Sequence, residues 1–204
     1  MAQSTARLGS LVVALLCPVA AAAQGVATSR IFDALALRPG ATVCEVGAGD
    51  GELSIAAAER VGAQGRVYTS ELGDERIAGL RAKVAAAGRP NIQVVEAAAD
   101  RTNFPDGACD ALFMRNVYHH IAAPGPMSAS LAASLKPGGR IAIVDFTPRG
   151  GVEAQMPADR DEDRTHGVTP ESVRRELADA GFAAAKTETS SERWFMVVAV
   201  RPGS

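Results

Sequence analysis

Residues 43–51 read Val-Cys-Glu-Val-Gly-Ala-Gly-Asp-Gly, a short apolar run ending in glycines at positions 47, 49 and 51. A buried strand that runs into such a turn lets the backbone fold back tightly and approach a ligand. The helix that follows then points its first N–H groups at the same spot. Glu45 precedes the first glycine, and Glu71 lies roughly 20 residues past the middle one, where a ribose-binding carboxylate is expected. A dinucleotide turn has the form G-x-G-x-x-G/A, and its third small residue allows close packing around a pyrophosphate. Counted from Gly47, that position is Glu52, which is neither small nor suited to a phosphate. The pattern E-x-G-x-G-x-G fits a ligand without phosphates that carries a positive charge and a ribose. An NAD-dependent oxidoreductase fails on this spacing.

Working outward, strand and helix patterns alternate, which predicts a parallel sheet covered on both faces. A short helix over 28–37 leads through Arg38-Pro39-Gly40 into a first strand at 41–46. A helix at 51–61, a strand at 66–71, a helix at 74–87 and a strand at 92–96 follow. Beyond the Pro105-Asp106-Gly107 turn comes a strand at 110–115, then a helix at 125–135, and Lys136-Pro137-Gly138-Gly139 turns into a strand at 140–145. Residues 146–168 are rich in glycine, proline and charge, and a loop of that length in a compact domain is usually functional or disordered. Thr169-Pro170-Glu171 marks a helix start that runs to Gly181, and two strands, 182–189 and 193–201, complete an antiparallel hairpin. The fold expected is α/β: a Rossmann-like, doubly wound, mostly parallel sheet with a C-terminal antiparallel hairpin.

The first 23 residues differ from the rest. Arg7 supplies positive charge, Leu8 to Leu16 form an apolar run, and Ala21-Ala22-Ala23 offers a small-residue cleavage site, the layout of a secretory signal peptide. The apolar stretch contains Pro18 and is short for the roughly 20 residues that span a bilayer. The expectation is therefore a cleaved signal at 1–23, a single domain at 24–204, and a periplasmic or secreted protein, with membrane anchoring as the lesser alternative. A net charge of −2 without a basic cluster argues against nucleic acid as a partner. Past the leader only Cys44 and Cys109 remain, each in or beside a central strand, and they are expected to be buried free thiols.

With these features assembled, the sequence resembles the class I S-adenosylmethionine-dependent methyltransferases over roughly residues 28–201. The resemblance implies S-adenosylmethionine as cofactor and a small-molecule methyl acceptor. It implies that Gly47, Ala48, Gly49 and Gly51 line the methionine end, that Glu45 sits near the ammonium, and that Glu71 accepts both ribose hydroxyls. In that superfamily the third strand commonly ends Gly-Asp-Ala, the aspartate meeting adenine. Here the stretch is Glu96-Ala97-Ala98-Ala99-Asp100, with Ala98 at that position, leaving Asp100 or backbone alone for the contact.

Met114-Arg115-Asn116-Val117-Tyr118-His119-His120 is the second informative stretch. Its Arg-Asn-Val part looks like the quinone-biosynthesis methyltransferases, which implies that Arg115 and Asn116 flank the cofactor. Tyr118, His119 and His120 are then the candidate catalytic residues beside the transferring methyl. Histidine is the side chain suited to removing an acceptor's proton near neutral pH. His166, in the 146–168 loop that would act as a lid, and Asp145, at the tip of the fifth strand, are expected over the same mouth. A metal held by His119, His120, His166 and Asp145 is not expected, because adjacent histidines rarely point the same way and no His-x₃-His spacing is present. The charged run Asp159 to Arg164 reads most simply as a solvated part of the lid, since its signs nearly cancel. A second reading from another class is a non-catalytic, exported metabolite-binding protein on the same scaffold.

Overall fold

The computed structural model describes residues 25–203. The expected export signal lies outside the described residues. The chain runs α1 (Thr28–Ala34), β1 (Thr42–Val46), α2 (Glu52–Val61), β2 (Arg66–Glu71), α3 (Asp74–Ala86), β3 (Ile92–Glu96), β4 (Cys109–Arg115), α4 (Pro124–Ser134), β5 (Leu135–Phe146), α5 (Pro170–Asp179), β6 (Ala183–Thr189) and β7 (Trp194–Val200). The seven strands lie in the order β3-β2-β1-β4-β5-β7-β6. The first five are parallel, and β7 runs antiparallel between β5 and β6. Strand order reverses between β1 and β4, so the crevice at their carboxyl ends is where such a sheet takes ligands.

The strands are apolar on both faces because helices cover both. Along β4, Ala111 and Phe113 join Ile31, Phe32, Ala57, Val61 and Leu80 on the side of α1, α2 and α3. Leu112 and Met114 join Leu131, Val173 and Leu177 on the side of α4 and α5. This two-sided burial, with side chains alternating at period 2, is what a parallel sheet requires. Truncating one of these side chains, Leu112 for instance, is expected to cost about 3 kcal/mol. Among the described residues no helix is long and apolar enough to cross a membrane.

Three features depart from the expectation. Cys44 and Cys109 are joined in a disulfide, with Cα atoms 5.9 Å apart, and are not free thiols. The reason is a register shift between Cys109 and Ala111, where β4 leaves regular pairing with β5. In a regular strand Cys109 and Leu112, three residues apart, would face opposite sides. The irregularity brings Cys109 onto the face of Leu112 and Cys44, in the same buried cluster. The Lys136–Gly139 turn is absorbed into β5, which begins at Leu135. Finally, Asp159 and residues 161–164 are exposed as expected, but Arg160 is not, and it docks the 146–168 loop on the body of the protein. Arg160, in the run read as solvated, is 2% exposed, paired with Glu176 of α5 and 3.5 Å from Glu153. Glu153 also accepts from the hydroxyls of Thr169 (2.6 Å) and Ser172 (2.8 Å), a carboxylate at the N-terminus of α5.

Candidate active site

The glycine turn is shaped by two contacts. The amides of Gly47 and Ala48 both donate to the Ser70 carbonyl, at 2.9 and 3.0 Å, which fastens the turn to β2. Gly47, Gly49 and Gly51 have φ of +70°, +56° and +80°, in the left-handed region that glycine adopts freely. Their roles nevertheless differ. A Cβ on Gly47 would come within 2.4 Å of a Val117 methyl, and one on Gly51 within 2.8 Å of Leu80. A Cβ on Gly49 would meet nothing within 4 Å, because it points into a cavity. Gly47 and Gly49 lie on the wall of this cavity, whereas Gly51 packs on Leu80 away from it.

The cavity, of about 690 Å³, lies at the carboxyl ends of β1, β2 and β4. Glu45, Gly47, Ala48, Gly49, Glu71, Arg115, Asn116 and His120 all line it, along with the Ala97–Ala99 backbone stretch. Asp100 does not; it pairs with Arg101 at 3.1 Å, so any adenine contact on this wall falls to residues 97–99. Glu71 is nearly buried and accepts the Gly49 amide at 2.7 Å through Oε2. Its Oε1 accepts from the Leu72 amide at 3.0 Å. Glu45 is buried and receives the Ser54 hydroxyl, which also bonds Thr69 Oγ1 at 2.6 Å. Burial pushes the Glu45 carboxyl up to about 8, against the downward pull of Ser54 and Arg115.

These groups fit the cofactor implied by the resemblance. A deep carboxyl faces the place for an ammonium, a second carboxylate sits one strand away for a ribose, and a glycine leaves room where a Cβ would intrude. Each acidic group gains a favourable partner when a cation and hydroxyls enter a partly dry cavity.

The substrate side divides in a way the sequence did not separate. After β4, Asn116 takes φ +58° and its amide donates to the Val144 carbonyl at 2.9 Å. The chain then enters a 3₁₀ turn over Tyr118–His120. Tyr118 is fully buried, with its hydroxyl 3.4 Å from Ser128 Oγ. Burial first, and the Glu176 carboxylate second, hold that hydroxyl well above the ordinary phenol range. Tyr118 is therefore a core residue and not a catalytic group at the cavity. His119 is also buried, with Nδ1 2.8 Å from Oδ1 of the fully buried Asp145. The two Asp145 oxygens accept from the Phe146 amide (2.9 Å) and the His119 amide (3.1 Å) as well. His120 alone of the three histidines lines the cavity, half exposed, with Nδ1 3.1 Å from Asp161. Burial, followed by the neighbouring His119, lowers the His120 imidazole below its ordinary range, against the pull of Asp161.

His166 reaches in from the loop, its Nε2 3.1 Å from Nε2 of His119 and 3.6 Å from Asp161 Oδ1. The rings of His119 and His120 are 3.9 Å apart at their centroids. Neighbours in a strand would point to opposite faces, but the 3₁₀ turn rotates them to the same side. Asp161 is the residue that sequence reasoning missed. It stands in a mixed-charge run with no periodic signal, and only the docking of the loop brings it to the histidines.

Comparison with known proteins agrees with this fold. A family model described as a methyltransferase domain matches residues 43–139, just under half of the chain. The ubiquinone/menaquinone biosynthesis C-methyltransferase UbiE of Ectopseudomonas mendocina is 33% identical over 119 residues, covering 56% of this chain and 45% of that protein. The chain thus spans about half the length of the curated relatives it matches. A SAM-dependent methyltransferase from Aquifex aeolicus superposes with a TM-score of 0.72 at 24% identity, over 85% of this chain and 88% of the other. Phosphoethanolamine N-methyltransferase 2 of Haemonchus contortus, in complex with S-adenosyl-L-methionine, superposes with a TM-score of 0.72 at 16% identity, over 86% of this chain and 52% of that one. The fold of the chain is that of these methyltransferases.

Proposed function

We propose that this chain is an S-adenosylmethionine-dependent methyltransferase acting on a small-molecule acceptor. The observation that carries this reading is the convergence of Glu45, Gly49 and Glu71 on one cavity that His120 also lines. The first three match what a positively charged, phosphate-free nucleoside needs, and the histidine offers a base on the same cavity wall. The methyltransferase-domain match and the names of the relatives support the same reaction class.

When bound, S-adenosylmethionine supplies a sulfonium methyl whose bonding electrons stay with sulfur as the methyl passes to an O, N or C nucleophile. The protein's own part is largely positioning. Glu45 and the Gly47–Gly49 backbone would hold the methionine end, and Glu71 would orient the ribose. His120 is kept neutral by burial and by His119, and so can accept the acceptor's proton. The docked loop, through Asp161, holds the His120 ring and narrows the mouth against water.

We also propose that the protein is exported. Residues 1–23 have the layout of a signal, and the Cys44–Cys109 disulfide suits an oxidising compartment.

The test is calorimetric titration of S-adenosylmethionine and S-adenosylhomocysteine into the purified protein, with NAD as control, followed by an acceptor screen. Micromolar binding of the first two and none of NAD is expected. Failure of both to bind overturns the enzyme reading. Binding without turnover of any acceptor would favour a binding protein on this scaffold.

A further inference from the structure

Four potential ligand atoms, one each from His119, His120, Asp161 and His166, lie within 4.8 Å of one another at the rim of the cavity. Three of the pairs are closer still. His119 Nε2 and His166 Nε2 are 3.1 Å apart, His120 Nδ1 and Asp161 Oδ1 are 3.1 Å apart, and His166 Nε2 and Asp161 Oδ1 are 3.6 Å apart. Ligands bound at zinc's usual distance in a tetrahedron stand roughly 3.4 Å from one another. The cluster is therefore already near the spacing a small divalent ion imposes.

The second observation lies behind the cluster. Asp145 is an acceptor at both oxygens, taking two backbone N–H groups besides His119 Nδ1. His119 must then carry its proton on Nδ1, which leaves the Nε2 lone pair directed at His166. A buried carboxylate that fixes the tautomer of an imidazole and aims its other nitrogen outward is the outer support found behind metal-bound histidines. Phe146 braces this arrangement, with its ring 4.7 Å from His119 and 5.1 Å from His166.

We propose that His119, His120, His166 and Asp161 form a binding site for a divalent first-row transition ion, with zinc as the fitting probe and Asp145 as the positioning residue behind His119. Three neutral imidazoles and one carboxylate are the donor set such ions take in preference to magnesium or calcium. The site stands apart from the methyl-transfer reading, since the ion would bind whether or not a methyl is transferred. Should both hold, His120 would serve as a ligand and not as the base, and the four-ligand ion would brace the loop against the rim of the cavity.

Zinc titration of the purified, chelator-treated protein against a chromogenic competitor tests this, with cobalt substitution to read coordination from the visible spectrum. One ion per chain, bound with sub-micromolar affinity, and a tetrahedral cobalt spectrum are expected. The exposed ligands make the safest variants. His166→Ala and Asp161→Asn should each weaken zinc by at least about 10–100-fold, the loss typical of removing even an outer support. Asp145→Asn should weaken it without abolishing the cobalt spectrum. Absence of zinc binding, or affinity unchanged in His166→Ala, overturns the proposal. Circular dichroism and S-adenosylmethionine titration of the same samples keep the two readings apart. Cofactor binding without zinc sinks only the metal site, and zinc without cofactor sinks only the methyltransferase.

Discussion

The Glu71 carboxylate receives the amide hydrogen of Gly49 at 2.7 Å, so the acid at the end of β2 and the glycine that opens the cavity are tied together before any ligand enters. This bond holds the middle of the turn against the end of β2. Glu71→Ala removes both the turn's anchor and the group for the ribose hydroxyls, and should weaken S-adenosylmethionine by roughly 100-fold, two hydrogen bonds to a charged group. Glu71→Gln keeps an acceptor for Gly49 and should lose less, about 10-fold. Isothermal titration of the two variants checks the order.

Gly47 and Gly49 should respond differently to the same methyl group. Gly49→Ala meets open space, so its stability cost is the left-handed backbone alone, about 1–2 kcal/mol, while cofactor binding is blocked. Gly47→Ala drives a Cβ into Val117 and should cost more, with partial rescue by Val117→Ala. Urea denaturation and cofactor titration of the four proteins distinguish a steric block from a packing defect.

If Glu45 meets the cofactor's ammonium as proposed, cofactor binding should depend on pH. Its carboxyl is raised from 4.5 to about 8 in the free protein, so it is largely protonated at neutral pH. A cationic ammonium beside it favours the carboxylate. Binding near pH 7 should therefore release close to one proton, visible as a dependence of the calorimetric heat on buffer ionisation enthalpy, and affinity should rise between about pH 6 and 8. For folding the sign is opposite. The unfolded chain loses this proton near pH 4.5 and the folded one only near 8, so the contribution of Glu45 to stability falls as pH rises through that window. Glu45→Gln should remove both effects.

The disulfide closes a loop between residues 65 apart, which constrains the unfolded chain by about 4 kcal/mol in the entropic account. The Cys44→Ala/Cys109→Ala double variant should lose about 2–4 kcal/mol. Reductant should shift the urea midpoint of the natural protein and leave that of the variant unchanged.

The sequence by itself determined the sheet and placed Glu45, Gly47, Gly49 and Glu71 around one cavity. Short apolar strand runs, the Thr169-Pro170 helix start and the glycine turn are local signals; Glu45 and Glu71 lie at the ends of β1 and β2, and Gly49 lies in the turn after β1. Thr169 caps α5 through the Ser172 amide, as its place before Pro170 predicts. Only the tertiary structure decided what depends on residues far apart in the chain. The register shift at Cys109 creates the disulfide. The 3₁₀ turn buries Tyr118 and His119 while turning His120 into the cavity. The Arg160–Glu176 pair docks the loop that carries Asp161 and His166 to the other histidines. Such contacts leave no periodic trace, because they are made by single residues from irregular segments whose path is set by what they pack against.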